Sequence, residues 1–261
     1  MRFILISISL LLMLTACVSS ETSTTTQNTG TGKKMAFDPE GAAETRIKIA
    51  LLYLQKDQMQ QAKENLDKAR EYLPNDANVF RIFAYYYQRV NEDDKAEQYY
   101  KKSLAIDSSN SDTYNNYGTF LCKQERYQEA EKAFLRAVKQ SAYTGVANTY
   151  ENAGVCAEEA QAFDKAIYYY EYAISHNPGK SYLNLYLAKL YITKKDYKAA
   201  RLNLFNYQKV SKASAESLWQ WIRLSYATEK TASLNRYAGK LLEQFPDSQR
   251  ALDYLNHEYY K

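Results

Sequence analysis

An all-α fold of stacked helical hairpins is what this sequence predicts, on three observations. The chain has 261 residues but only 8 Gly and 4 Pro, too few turn-makers for an all-β sandwich of many short strands. Small residues recur at a fixed period: Ala62, Ala96 and Ala130 are 34 apart, Ala166 follows after 36 and Ala200 after 34 again. Self-similarity at such a period marks an array of repeated units. Three of the four prolines, Pro74, Pro178 and Pro246, share one phase of that period, where a helix must stop.

The amino terminus reads as an address rather than as part of the array. Met1-Arg2 is a short basic start, Phe3 to Leu14 is an apolar run, and Leu14-Thr15-Ala16-Cys17 closes it with small residues before a cysteine. This resembles a bacterial lipobox. The resemblance implies a signal peptide over residues 1 to 16, cleavage after Ala16, and a lipidated Cys17 that anchors the chain to a lipid bilayer. The apolar run is shorter than the roughly 20 residues needed to span a membrane. Val18 stands where Asp favours inner-membrane retention in enterobacterial lipoproteins, so the expected destination is the outer membrane, facing the periplasm. Residues 17 to 42 are expected to form a tether, because nine of the thirteen residues from Ser19 to Thr31 are Ser or Thr and nothing apolar offsets the entropy of ordering. As a flexible coil, Val18 to Gly41 would reach roughly 25 to 30 Å.

The array follows as six units at residues 43–76, 77–110, 111–144, 147–180, 181–214 and 215–248. The eighth residue of each is Ala50, Ala84, Gly118, Gly154, Ala188 and Ile222, and the twenty-fourth is Leu66, Tyr100, Phe134, Tyr170, Leu204 and Ala238. Small residues at positions 8 and 20 let two antiparallel helices approach, and larger ones at 4, 7, 11 and 24 fill the space between neighbours. This pattern resembles the tetratricopeptide repeat, which implies a superhelix of six helical hairpins. The third unit matches best; the sixth departs most, with Ile222, Ser225, Leu234 and Ala238 at signature positions. Gly145 and Val146 are two inserted residues that lengthen the turn between units three and four. Residues 249–261, with Leu252, Leu255 and Tyr259 about a helical turn apart, are expected to form a capping helix.

The tetratricopeptide resemblance further implies an inner face lined by first helices, able to bind peptides or partner domains. In unit one Ile47, Leu51 and Leu54 form an apolar stripe at helical spacing, on the end of the array that no earlier unit covers. The stripe reads as a docking groove, with cover by its own second helix or by the tether as the alternative. Further along, the lining is polar: Arg81, Tyr85 and Arg89, then Asp112, Asn115 and Lys123, then Asn148, Glu151, Glu158 and Glu159. It is either a peptide-binding surface or a solvated one. The 26 tyrosines read mostly as packing residues with a wet hydroxyl.

Several classes of chemistry have no support. A formal charge of +4 from 34 Lys+Arg and 30 Asp+Glu gives no case for nucleic acid. The two His, His176 and His257, and three Cys form no cluster at metal-ligand spacing. Without a Ser-His-Asp motif or a Gly-rich loop, no enzyme, cofactor or small-molecule substrate is expected. Cys122, at position 12 of unit three, and Cys156, at position 10 of unit four, fall on adjacent first helices. In an oxidising periplasm they are expected to pair as a disulfide, two buried free thiols being the alternative.

Lipobox, Ser/Thr tether, six repeats and this Cys pair together resemble the PilF/PilW family of type IV pilus biogenesis lipoproteins. The resemblance implies a pilotin. Such a protein binds the pilus secretin subunit, carries it to the outer membrane on its lipid anchor, and supports its assembly into multimers. A periplasmic scaffold regulating cell-wall enzymes, or another envelope assembly, is the alternative.

Overall fold

The structure is a computed structural model and describes residues 37 to 260. The expected signal peptide, Cys17 and the tether up to residue 36 lie outside the described residues. Within them the chain forms 13 α-helices and one short 3-10 turn. Helices pair in sequence as hairpins: α1 (Pro39–Gln55) with α2 (Met59–Tyr72), α3 (Ala77–Arg89) with α4 (Asp93–Ile106), and α5 (Ser111–Lys123) with α6 (Tyr127–Ala137). Then follow α7 (Val146–Glu159) with α8 (Phe163–His176), α9 (Leu183–Thr193) with α10 (Tyr197–Val210), and α11 (Ala215–Ala227) with α12 (Thr231–Gln244). None of the described helices is long and apolar enough to cross a membrane.

Each hairpin turns by one repeated backbone device. Asp57, Asn91, Glu125, Gln161, Lys195 and Glu229, all at position 15, adopt φ between 55° and 62°. The next amide bonds back to the carbonyl of position 11, as in Gln58 N to Tyr53 O at 2.9 Å and Ala162 N to Ala157 O at 2.8 Å. This satisfies an orphan helix-end carbonyl by a left-handed residue at the end of each first helix. Short polar side chains start many helices: Asp76 accepts from the Val79 amide at 2.8 Å, Asn110 from Thr113 at 2.8 Å, and Ser214 forms a capping box with Ser217.

Position 8 is small in hairpins three and four because a ring from position 24 lies on it. A Cβ added to Gly154 would stand 2.5 Å from Cε1 of Tyr170, and one added to Gly118 would stand 2.7 Å from Cε1 of Phe134. Both rings are core residues. The buried side chains form four clusters along the array, the first spanning hairpins one and two and the largest spanning hairpins two to five.

Three expected boundaries shift. Helix α1 begins at Pro39, four residues inside the expected tether, because Asp38 accepts from the Gly41 amide at 3.1 Å and proline suits the first helical turn. Val146 opens α7 with Gly145 preceding it, yet the turn between units three and four is lengthened as expected, running over residues 138–145 where 73–76 and 107–110 connect the earlier hairpins. The carboxy-terminal cap is broken: α13 (Gln249–Leu255) ends at Asn256, His257 takes φ 56°, and a 3-10 turn covers Glu258–Tyr260. Its buried residues are Ala251 and Asp253, while Leu252 and Leu255 are exposed. Arg250 fixes that register by bridging Glu216 of α11 at 2.6 Å and Asp253 at 2.8 Å.

Candidate protein-binding face

The first helices α1, α3, α5 and α7 pack successively side by side, as do α9 and α11. Between α7 and α9 the link is made by long side chains. Glu151 of α7 holds Lys180 at 2.5 Å and accepts from the Tyr182 hydroxyl at 2.7 Å. Glu158 of α7 pairs with Lys189 of α9 and accepts from Tyr170 at 3.2 Å. These two acidic residues of the expected lining are thus spent on holding hairpins four and five together.

The apolar stripe of hairpin one is not a groove. Ile47 is 5% exposed and Leu54 0%, both inside the cluster that also contains Val79, Ile82 and Phe83 of α3. Leu51 is half-buried against the same cluster. The reason is geometric: Ala43, Ile47, Ala50 and Leu54 lie on one face of α1, and α2 and α3 both pack on α1. The solvent-facing apolar residue of this helix is Leu52, 56% exposed. A wide groove of about 840 Å³ remains between the start of α1 and the turn before α3, lined by Ile47, Leu73 and Pro74 and edged by Asp38, Glu44 and Asp76. Leu51 and Leu54 are not among its walls.

Arg81, Tyr85 and Arg89 share one face of α3, four residues apart, and all three are half-buried. Arg89 pairs with Asp57 of the preceding hairpin and donates to the Tyr85 hydroxyl at 3.4 Å. Arg81 donates to Asn78. Burial pulls the Arg81 guanidinium below its ordinary pKa, opposed mainly by the field of Asp112. A guanidinium that is desolvated and hydrogen-bonded to a neutral amide retains donors for a partner's carboxylate.

Cys122 and Cys156 form a disulfide between α5 and α7, with Cα atoms 5.8 Å apart. Beside it, between hairpins three and four, lies a cavity of about 500 Å³ whose walls include Phe134, Ala153, Cys156, Ala157 and Tyr169, under a rim of Glu125, Arg126, Glu129, Glu131 and Lys165. The sequence reading did not single out this cavity. Its signal was present as alanines at positions 7 and 11 of one unit, where the other units mostly carry large side chains. The described residues contain no group of three or more His, Cys, Asp and Glu placed to hold a metal ion.

Hairpins closed by a ring on a small residue, with their first helices aligned on one face, define a tetratricopeptide-repeat protein. Tetratricopeptide repeat profiles match residues 110–178, 157–204, 43–75 and 82–110. Over 207 residues the chain is 31% identical to the type IV pilus assembly protein PilF of Pseudomonas aeruginosa, covering 79% of this chain and 82% of that one. It belongs to the PilF family. An uncharacterized protein of Haemophilus influenzae is 35% identical over 149 residues, 57% of this chain and 76% of that one. The solved structure of P. aeruginosa PilF matches with a TM-score of 0.70 at 29% identity, over 84% of this chain and 99% of that one. PilW, described as a widely conserved type IV pilus biogenesis factor, matches with a TM-score of 0.70 over 82% and 98% of the two chains. At 22% identity that likeness concerns the fold.

Proposed function

We propose that this chain is an outer-membrane pilotin: it binds the secretin subunit of the type IV pilus, promotes its delivery to the outer membrane, and supports its assembly into multimers. The observation that carries the reading is the relationship to PilF over most of both chains. The lipobox resemblance at Leu14 to Cys17 supplies the anchor, since acyl chains on Cys17 give membrane affinity in proportion to their buried methylenes. The repeat array supplies the grip. Sorting then follows from physical linkage, with no chemistry performed on the cargo.

Leu54 drops out as a contact residue because it is fully buried, and Ile47 offers only an edge to the groove beside α1. Arg81 and Tyr85 remain, Arg81 offering donors to an acidic group of the secretin. The test is a pull-down of the acylated protein from envelope extract, with Cys17→Ala and Arg81→Glu as comparison chains. The wild type retains the secretin; Cys17→Ala leaves the outer-membrane fraction and takes secretin multimers with it; Arg81→Glu stays in the membrane and loses the secretin. Normal multimers in the outer membrane of a Cys17→Ala strain would refute the pilotin reading.

A further inference from the structure

Position 11 of the repeat is filled by large side chains of the chain itself in four hairpins, as Tyr53, Tyr87, Leu121 and Tyr191, but by Ala157 in the fourth. Position 7 carries Ile49, Phe83, Tyr117, Leu187 and Trp221, against Ala153 in the fourth. Hairpin four is the one unit with alanine at both. In hairpin six, where position 11 is Ser225, the indole of Trp221 stacks on Tyr237 with ring centroids 5.1 Å apart.

Hairpin two shows what occupies this place elsewhere. The Tyr87 ring stacks on Tyr99, at position 23, with centroids 5.2 Å apart. The ammonium of Lys95, at position 19, lies 5.4 Å from the Tyr87 ring centre. In hairpin four positions 23 and 19 are Tyr169 and Lys165, and both line the cavity of about 500 Å³ beside Ala153 and Ala157. The cavity therefore stands where hairpin two places its own ring.

Its walls are fixed before anything enters. Glu131 accepts from the Tyr169 hydroxyl at 2.6 Å and pairs with Lys165 at 2.7 Å, so a stacking face and an ammonium are held in position. The volume lies within the roughly 300 to 1,000 Å³ of ligand sites. On the charged rim Glu129 pairs with Arg126 at 2.8 Å and Glu131 with Lys165, which leaves Glu125 as the carboxylate outside an ion pair and favours a basic neighbour on whatever enters.

We propose that the cavity between hairpins three and four receives an aromatic side chain from a partner peptide that carries a basic residue beside it. The partner's ring takes the place that Tyr87 fills in hairpin two, stacking on Tyr169 with Lys165 against its face. This deepens the protein-binding reading above, but its test needs no secretin.

The full-length protein in detergent micelles, labelled at alanine methyls, is titrated with the end-blocked tripeptide Lys-Trp-Lys and followed by NMR. The Ala153 and Ala157 methyls shift saturably, at least tenfold less readily with Lys-Leu-Lys and not at all with Lys-Ala-Lys. Ala157→Tyr, which restores the pattern of hairpin two, folds and abolishes the response at Ala153. Glu125→Lys weakens it severalfold while leaving the fold intact, since Lys195 already occupies the equivalent left-handed position in hairpin five. Absence of the methyl shifts, equal response to leucine and tryptophan, or an unaltered response in Ala157→Tyr overturns the proposal. So do methyl shifts that change on diluting the protein alone or on removing the residues before Phe37, because the cavity is then filled by a second copy or by the chain itself. Failure of the secretin pull-down with these shifts intact overturns the pilotin reading and leaves this one standing.

Discussion

Hairpins two and four share a backbone and differ in how they are closed. In hairpin two, Phe83, Tyr87 and Tyr99 stack on one another with centroids 5.2 to 6.3 Å apart, and the chain completes its own packing. In hairpin four the corresponding positions 7 and 11 are Ala153 and Ala157, a cavity replaces the rings, and a disulfide ties the first helix to its neighbour. A repeat tolerates an unfilled position when something else holds the units together. That freedom is what lets one unit of a structural array become a site.

The largest effect should come from breaking the closed end. Leu54→Glu places a carboxylate at a fully buried position beside Leu66 and Phe83, which costs several kcal/mol. Hairpin one should unfold, seen as lost protection of its amides in hydrogen exchange. Leu52→Glu, on the exposed side of the same helix, should change stability by no more than about 0.5 kcal/mol.

Replacing both Cys122 and Cys156 by Ser tests whether the open junction depends on its staple. The bridge closes a sequence separation of 34, for which loop-closure entropy gives about 3 to 4 kcal/mol. Urea unfolding should show that loss with helical content retained. Thiol labelling of unfolded, unreduced wild-type protein from the periplasm should find neither cysteine free; two free thiols beyond Cys17 would remove the covalent half of the contrast.

Exchanging the two fillings sharpens the comparison directly. Tyr87→Ala should cost about 2 to 3 kcal/mol, below the ~3 to 5 of a fully buried ring because Tyr87 is half-buried. Ala157→Tyr should unfold at the same temperature as wild type or higher. A large loss in the second variant would mean that the cavity cannot take a ring.

The smallest effect concerns the charges that join hairpin two to hairpin three. Arg126, aided by Lys101 and Tyr117, holds the Glu97 carboxyl at about 2 in place of 4.5, against the opposing effect of burial. A carboxyl whose folded pKa is depressed stabilises fully above its unfolded value and loses that contribution as pH falls from about 4.5 towards 2. The melting temperature of wild type should exceed that of Glu97→Gln at neutral pH, and the gap should close over that acid range. A gap independent of pH would show that the side chain acts through packing.

Periodicity alone made the hairpins legible, because units that pack alike repeat their small residues and their turns at the same phase. Ala62, Ala96, Ala130, Ala166 and Ala200 therefore mark the array in the sequence itself. The first helix was legible as apolar but not in exposure: Ile47 and Leu54 are repeat-inner-face positions by number, yet they are buried in one cluster with Val79, Ile82 and Phe83 of α3. The cap was likewise not legible in exposure, Leu252 and Leu255 turning outward once Arg250 is tied to Glu216.

What the sequence determined by itself was the number of hairpins, their turns, their small contact positions and the family, because these follow from spacing along one chain. Only the tertiary structure decided which apolar residues meet solvent, which acids are spent on Lys180 and Lys189, and that Ala153 and Ala157 face Tyr169 across an empty space. Those properties depend on side chains drawn together from different elements of the chain, as Lys180 and Glu151 are at a separation of 29. Local pattern carries no record of such distances. The fold itself has to bring them together.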